Sequence, residues 1–387
     1  MKRLLLLFIT IWCIIVCGYC QTDWKNFMSK QDMIWTRLPQ TWYEAPFMGN
    51  GSMGTYICKE PNKNAIRVDV NNSMVHDHRT KDNGIYGRCR LLIGYFLLHP
   101  AGEIQSGNMR LDLWNAETTG CVRTTLGEIK LKAYVTSESP YIIVEAEATK
   151  GEKNFTWKFY PEKTDSPRQL NAIRIKSKNH FKKDYISNPA SQLYERNGLN
   201  FCWQPLLDGG GTATVWKEIR KDNKSILVIS NAHSFPETDA LQKAETALVS
   251  LQEIDLLSLQ KPHRDWWHNY YPLSFVSLPD KKIENFYWAQ MYKLASATRI
   301  GGGLLDNSGP WQVLTPWPNA WWNLNVQLSY WPVYAANRLE LGMPLVDVVK
   351  NNFDNLINNV PEAYRKDAAA LPVCTDFNLI GVDVRVQ

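Results

Sequence analysis

The chain has 387 residues and a formal net charge of +5 at pH 7. A single hydrophobic core stops growing at about 250–300 residues, so the length predicts two domains. The charge is small for this length and no long basic run occurs, so nucleic acid is not an expected partner.

The first residues have the layout of a secretory signal peptide over residues 1–20. Lys2 and Arg3 form a short basic end, and an apolar run over 4–16 follows. The run is shorter than the roughly 20 residues that a membrane span needs. Small residues precede a cleavage point after Cys20. We expect a secreted or periplasmic protein; an uncleaved anchor and a lipoprotein are the less favoured alternatives.

The remainder of the chain contains no further run long and apolar enough for a membrane span, so none is expected after signal cleavage. Five widely spaced cysteines follow residue 20, and no CxxC pair is among them. This spacing suggests neither a disulfide framework nor a zinc site. No cofactor is expected.

Short strands and turns are predicted over residues 21–236. Segments such as "YIIVEAEAT" and "NFTWKFYP" alternate polar and apolar residues, as strands with one wet face do. The "LLDGGGTATV" stretch at Gly209–Gly211 fits no nucleotide motif, because a strand rather than a helix follows it; a hairpin turn is favoured. The whole stretch is typical of a large β-sandwich.

A helical pattern replaces the strands after residue 236. Apolar residues from Leu241 to Leu257 recur at three- and four-residue steps, and Pro262 is expected to end this helix. Residues 237–279 are interpreted as a helical linker, and 280–387 as a helical domain. An all-β block followed by an all-α block indicates separate domains. Because 280–387 holds too few helices to cover its apolar faces, we expect the chain to end inside its second domain.

Tryptophans and asparagines cluster in "PWPNAWWNLNVQLSYWPVY", residues 316–334. Sugar rings present apolar C–H faces that lie against indoles, and their hydroxyls need fixed amides, so the pattern is typical of a carbohydrate pocket. If Asn323 and Asn325 serve one site, their segment is a loop leading into a helix, with Asn325 near the N-cap. The expected sugar-binding residues around them are Trp311, Trp317, Trp321, Trp322 and Asp306.

The segment "WNLNVQLSYWPVYAANRLELGMPLVDVV" resembles glycoside hydrolase family 95, the inverting fucosidases and their relatives. That family carries an Asn-x-Asn element, then Gln-Met-Asn-Tyr-Trp-Pro. The stretch "APFMGNGSMGTYI" is similar to its opening Gly-Asn-Gly strand, and "HRDWWHNYY" to the segment ahead of its catalytic block. The resemblance implies a β-sandwich followed by an (α/α)6 six-hairpin barrel that acts on an oligosaccharide or other glycan.

In that family an aspartate polarises one asparagine, which assists the attacking water, and a later glutamate is the general acid. The resemblance therefore implies catalytic roles for Asn323 and Asn325. Leu328 and Ser329 replace the family's Met and Asn, which leaves the sugar open. The family's acid and aspartate lie beyond the position of Gln387, so we expect this 387-residue chain to have little or no hydrolytic activity.

Three further polar groups stand out. Asp306, in "GGGLLDNSGP", is the local candidate for a pocket carboxylate, with a plain turn aspartate as the alternative. His76 and His78 are spaced to ligate a metal from a strand, but no third ligand is evident, so no metal is expected. Glu44 lies where it could reach a site between the domains. A carbohydrate-binding module without chemistry and another six-hairpin enzyme, such as a rhamnosidase or phosphorylase, remain alternatives.

Overall fold

A computed structural model describes residues 22–79, 81–249, 251 and 253–384. The predicted signal peptide at 1–20 lies outside the described residues. Fourteen strands form two antiparallel sheets before the main helical part begins. The strands are β1 (Met33–Trp35), β2 (Phe47–Gly49), β3 (Met53–Lys59), β4 (Ile66–Asn72), β5 (Gly94–His99), β6 (Ile104–Asp112), β7 (Glu117–Thr124), β8 (Glu128–Val135), β9 (Ile142–Ala148), β10 (Thr156–Pro161), β11 (Gln192–Arg196), β12 (Leu199–Pro205), β13 (Gly211–Lys221) and β14 (Lys224–Ser234).

The larger sheet has nine strands in the order β1-β6-β7-β8-β9-β14-β13-β12-β11, and the smaller has five in the order β10-β5-β4-β3-β2. Successive side chains along β9 point to opposite faces of the larger sheet. Ile142, Val144 and Ala146 belong to the main core, whereas Ile143 faces a second apolar cluster. The predicted sandwich-type fold is thereby confirmed, with a core between the sheets and a second one outside the larger sheet.

The hairpin predicted at the glycine triplet is also present. β12 and β13 pair antiparallel, with Pro205 opposite Gly211. The turn between them needs glycine, because Gly210 has a φ of 65° and a Cβ there would lie 2.2 Å from the carbonyl oxygen of Ser234.

Eight α-helices are described. Two short ones accompany the sheets, and six follow them. They are α1 (Trp24–Ser29), α2 (Pro167–Arg174), α3 (Ala240–Val249), α4 (Glu253–Tyr270), α5 (Lys281–Ala297), α6 (Gln327–Ala335), α7 (Met343–Asn351) and α8 (Phe353–Asn358). A pair of two-residue strands, β15 (Ala320–Trp321) and β16 (Cys374–Thr375), lies within the helical part, where the sequence shows no strand pattern.

The expectation that Pro262 ends a helix is wrong. Pro262 lies inside α4, which continues to Tyr270. The turns that follow it bury His263, Trp267 and Tyr270 against the rest of the molecule. Burial of these large side chains outweighs the helix-breaking tendency of an exposed proline, whose cost is about 3 kcal/mol.

The "MGNGSMG" stretch lies where the first strands contact the helical part. The amide of Gly51 donates to the carbonyl of Ser296, and a Cβ on Gly51 would lie 2.6 Å from the backbone nitrogen of Arg299. Gly51 also has a φ of 86°, which glycine adopts at little cost. The hydroxyl of Tyr292 donates to Phe47 O across the same junction. The glycines therefore let the first strands pack directly on α5.

Candidate functional site

The two asparagines lie in a strained turn just before α6. The turn spans Trp322–Val326, with non-helical backbone angles at Asn323 and Leu324, and α6 begins at Gln327. Leu324, between the asparagines, has φ 82° and ψ −53°, a conformation that costs a side-chain-bearing residue about 1–2 kcal/mol. Its amide donates to Gln327 Oε1 at 3.0 Å. The predicted loop leading into a helix is present, and Asn325 stands two residues before the helix.

Both carboxamides point into solvent. Asn323 and Asn325 are exposed, and among the described residues neither side chain has a hydrogen-bond partner. The backbone oxygen of Asn325, by contrast, accepts from the Ser329 hydroxyl at 2.9 Å. The backbone is thus fixed while the two amide groups stay available to a ligand.

Two tryptophans immediately precede this turn in the chain. Trp317 is 50% exposed, and its ring meets that of Trp321 edge-on, with centroids 4.6 Å apart. The indole N–H of Trp321 is buried and has no acceptor among the described residues. We call Trp317, Trp321, Asn323, Leu324 and Asn325 the amide surface.

Two other tryptophans expected at the site are buried. Trp322 is 6% exposed and donates its indole N–H to Thr375 Oγ1 at 2.7 Å. Trp311 is 8% exposed and donates to Met48 O at 2.9 Å. Both indoles are thus held in the core by a hydrogen bond, and Trp311 also borders the cleft described below.

Asp306, the expected pocket carboxylate, lines the same cleft but is held by an ion pair. It is buried and ion-paired with the buried Arg90 at 3.1 Å, and its Oδ1 accepts from the amides of Ser308 and Gly309. Burial raises the pKa of Asp306, and the Arg90 guanidinium opposes that rise. Its role is to hold the loop before the tryptophans against the sandwich.

A cleft of about 920 Å³ lies between the first strands and the helical part. Trp35, Trp42 and Tyr43 supply aromatic walls from the sandwich side, and Leu328 and Ser329 line it from α6. Among the described residues that line the cleft, neither Asn323 nor Asn325 is found. The single site expected from the sequence is therefore divided between the amide surface and this cleft.

The carboxylates that line the cleft are all engaged by arginines. Besides Asp306, these are Asp32, bound by Arg110, and Glu44, bound by Arg37 at 2.7 Å. The hydrogen bond from Arg37 lowers the pKa of Glu44, which keeps that carboxylate ionised. A general acid needs a proton near neutral pH, so this geometry does not favour Glu44 as the acid.

Comparisons with known proteins show the fold. The chain is similar to a solved structure described as a kojibiose phosphorylase from the human microbiome, with a TM-score of 0.56 and 12% sequence identity. The match covers 87% of this chain and 47% of that protein, so the chain spans about half of that neighbour's length. A bacterial glucoamylase complexed with acarbose matches at 12% identity and a TM-score of 0.42, over 90% of this chain and 56% of the glucoamylase.

The likeness to the kojibiose phosphorylase structure concerns the fold, in which a β domain is followed by helices. No family model matches the sequence, and no curated protein matches it. None of the helices in the described part of the chain is long and apolar enough to cross a membrane.

Proposed function

We propose that the protein is carbohydrate-active and binds an oligosaccharide at the amide surface. Trp317 and Trp321 would contact the apolar face of a sugar ring, and Asn323 and Asn325 would hydrogen-bond its hydroxyls. The observation that carries the proposal is the pair of exposed carboxamides, unpaired among the described residues and displayed by a strained turn beside two indoles. Strain of this kind is maintained where function requires it.

The fold supports the same class of ligand. The neighbour with the TM-score of 0.56 is described as a phosphorylase of kojibiose, a disaccharide. The resemblance of residues 322–349 to family 95 supports an α-L-fucoside-cleaving, inverting hydrolase as the finer proposal. Inverting hydrolysis needs an acid and a base, normally two carboxyl groups about 6.5–9.5 Å apart. In family 95 an asparagine takes part on the base side, and Asn323 and Asn325 are the candidates for that role.

Isothermal titration calorimetry of the purified chain with a fucosylated trisaccharide tests the binding proposal. We expect Asn323→Ala and Asn325→Ala each to weaken binding about tenfold, because each removes hydrogen bonds worth about 1.4 kcal/mol. Trp317→Ala should have a similar effect through the lost ring contact. Asn179→Ala, another exposed asparagine, is the matched control and should bind as the unsubstituted chain does.

Trp42→Ala distinguishes the amide surface from the cleft. If binding survives Asn323→Ala and Asn325→Ala but is lost in Trp42→Ala, the sugar site lies in the cleft and the amide-surface proposal is wrong. If none of the tested oligosaccharides binds, with kojibiose and both fucosylated and unfucosylated glycans among them, a carbohydrate function is contradicted.

The type of chemistry is tested by incubating aryl glycosides with and without inorganic phosphate. Release of the aryl group without phosphate supports the hydrolase. Turnover that requires phosphate would instead indicate a phosphorylase, the activity named in the description of the structural neighbour. Sugar binding without turnover in either condition agrees with the expectation that this 387-residue chain has little or no hydrolytic activity, and a binding module would behave in the same way.

We also propose that the protein is exported, on the strength of the basic end and apolar run in residues 1–20. N-terminal sequencing of the protein recovered outside the cytoplasm should give Gln21 as the first residue. Recovery of the intact Met1 terminus in the cytoplasm would contradict export.

A further inference from the structure

Three histidines from two distant parts of the chain converge beside the sheets. His76 and His78 lie in the extended segment after β4, and His233 lies near the end of β14. One ring nitrogen of each lies within 4.8 Å of those of the other two, and the Nε2 atoms of His78 and His233 are 2.9 Å apart. From these contacts we infer a divalent transition-metal site, with Zn²⁺ as the expected ion.

Hydrogen bonds of the Nδ1 atoms fix the orientation of two of the rings, those of His76 and His233. His76 Nδ1 donates to the carbonyl of Met74 at 2.8 Å, so its Nε2 carries the lone pair. His233 Nδ1 contacts the hydroxyl of Thr212, the residue opposite it in the β13–β14 pair, at 3.0 Å. Metal-binding histidines typically use the second ring nitrogen in this way, which orients the first toward the ion.

The free nitrogen of His76 is the observation that separates a metal site from a simple histidine pair. His78 and His233 can satisfy each other through one shared proton. His76 Nε2, however, is buried and has no hydrogen-bond partner among the described residues, although buried nitrogens are normally paired. A metal cation bound by all three rings would accept the lone pair of His76 Nε2 together with one lone pair from each of the other two histidines.

The spacing fits a tetrahedral ion with one open position. With Zn–N bonds of about 2.0–2.1 Å, tetrahedral nitrogens are about 3.4 Å apart, which lies between the 2.9 Å contact and the 4.8 Å limit. Three neutral imidazoles leave the fourth position for water or another ligand. Two phenylalanine rings border the cluster. The ring centroids of Phe235 and His78 are 3.8 Å apart, and those of Phe377 and His76 are 5.6 Å apart.

The surrounding charges are compatible with a cation. Arg88 and Arg90 lie near His76, but each is paired with a carboxylate, Asp376 at 2.7 Å and Asp306 at 3.1 Å. Burial lowers the pKa of all three histidines, which keeps them in the neutral form that binds metals. An ion here would tie the end of β14 to the segment after β4.

Metal content and affinity of the full chain test the inference. After removal of metals with a chelator and dialysis against ZnCl₂, we expect one tightly held zinc per chain. His78→Gln and His233→Gln should each lower zinc affinity at least tenfold. His180→Gln is the matched control, since His180 is partly exposed in a loop and outside the cluster, and it should bind zinc as the unsubstituted chain does.

Two measurements keep the test independent of how the variants fold. X-ray absorption at the zinc edge of the unsubstituted chain should show three imidazole nitrogens at about 2.0 Å. Added Zn²⁺ should also raise its melting temperature, and should not raise that of a folded His233→Gln variant. Zinc bound with fewer than three imidazoles, zinc binding unchanged in His233→Gln, or no zinc retained would each overturn the site.

Discussion

At the scale of single residues, exposure differs between neighbouring tryptophans of the aromatic segment. Trp317 and Trp322 are five positions apart, yet the first is half exposed and the second is 6% exposed. The sequence predicts that tryptophans and amides share a site, because their chemistry suits sugars. It does not predict which indoles are buried, because burial depends on partners such as Thr375 that lie far along the chain.

Leu324 provides a residue-scale prediction. We expect Leu324→Gly to raise the free energy of unfolding by about 0.5–1 kcal/mol, because glycine adopts the positive φ without strain and the lost side chain is 57% exposed. Leu328→Gly is the matched control in α6, where glycine should lower stability by about 1 kcal/mol. Urea denaturation measures both; a loss in Leu324→Gly as large as that in the control would contradict strain at this turn.

At the scale of elements, α4 shows where packing prevails over local preference. The sequence pattern predicts a stop at Pro262, but the aromatic residues beyond it are buried and the helix continues. The strands are easier to predict from the sequence, because polar and apolar residues alternate along segments such as β9 and so mark the two faces of the sheet. A proline in an exposed turn of a packed helix carries no such signal.

We expect Pro262→Ala to raise the free energy of unfolding by about 1–2 kcal/mol. Alanine restores the missing N–H and removes the ring clash in α4, and this gain exceeds the extra freedom of the unfolded chain. Lys261→Ala is the control at the neighbouring exposed position. It removes only a surface ion pair with Asp265 and should change the free energy of unfolding by less than about 1 kcal/mol. Thermal and urea unfolding would contradict the prediction if Pro262→Ala were less stable than the unsubstituted chain.

A buried histidine in the same helix predicts how stability depends on pH. Burial, with a smaller effect of Arg299, lowers the pKa of His263 to about 3. Its unfolded pKa is about 6.5, so between these values the unfolded chain binds one more proton at this residue and stability falls as pH falls. From pH 7 to pH 5 the unsubstituted chain should lose about 2 kcal/mol more than His263→Gln. Parallel pH profiles for the two proteins would contradict this assignment.

At the scale of the whole molecule, contacts between distant segments decide what the sequence cannot show. The two-part architecture follows from the change of sequence pattern near residue 236. The third histidine is 155 positions from His78, so only the paired sheets bring it beside the other two. The partner of Asp306 is equally hidden, because Arg90 belongs to a different part of the fold.

The Arg90–Asp306 pair links the sandwich to the helical part, and its loss should be costly. We expect Asp306→Asn to lower the free energy of unfolding by about 3–5 kcal/mol, because it leaves a buried guanidinium without its counter-charge. Asp265→Asn removes a surface pair with Lys261 and should cost at most about 1 kcal/mol. Equal effects of the two substitutions in urea denaturation would show that the buried pair does not stabilise this junction.

A crystal structure of the chain soaked with a fucosylated trisaccharide tests the proposed sugar site directly. We expect a sugar ring within about 4 Å of the indoles of Trp317 or Trp321, with its hydroxyls hydrogen-bonded to the carboxamides of Asn323 and Asn325. A trisaccharide that instead occupies the cleft beside Trp42 and Tyr43, without contact to either asparagine, would contradict it.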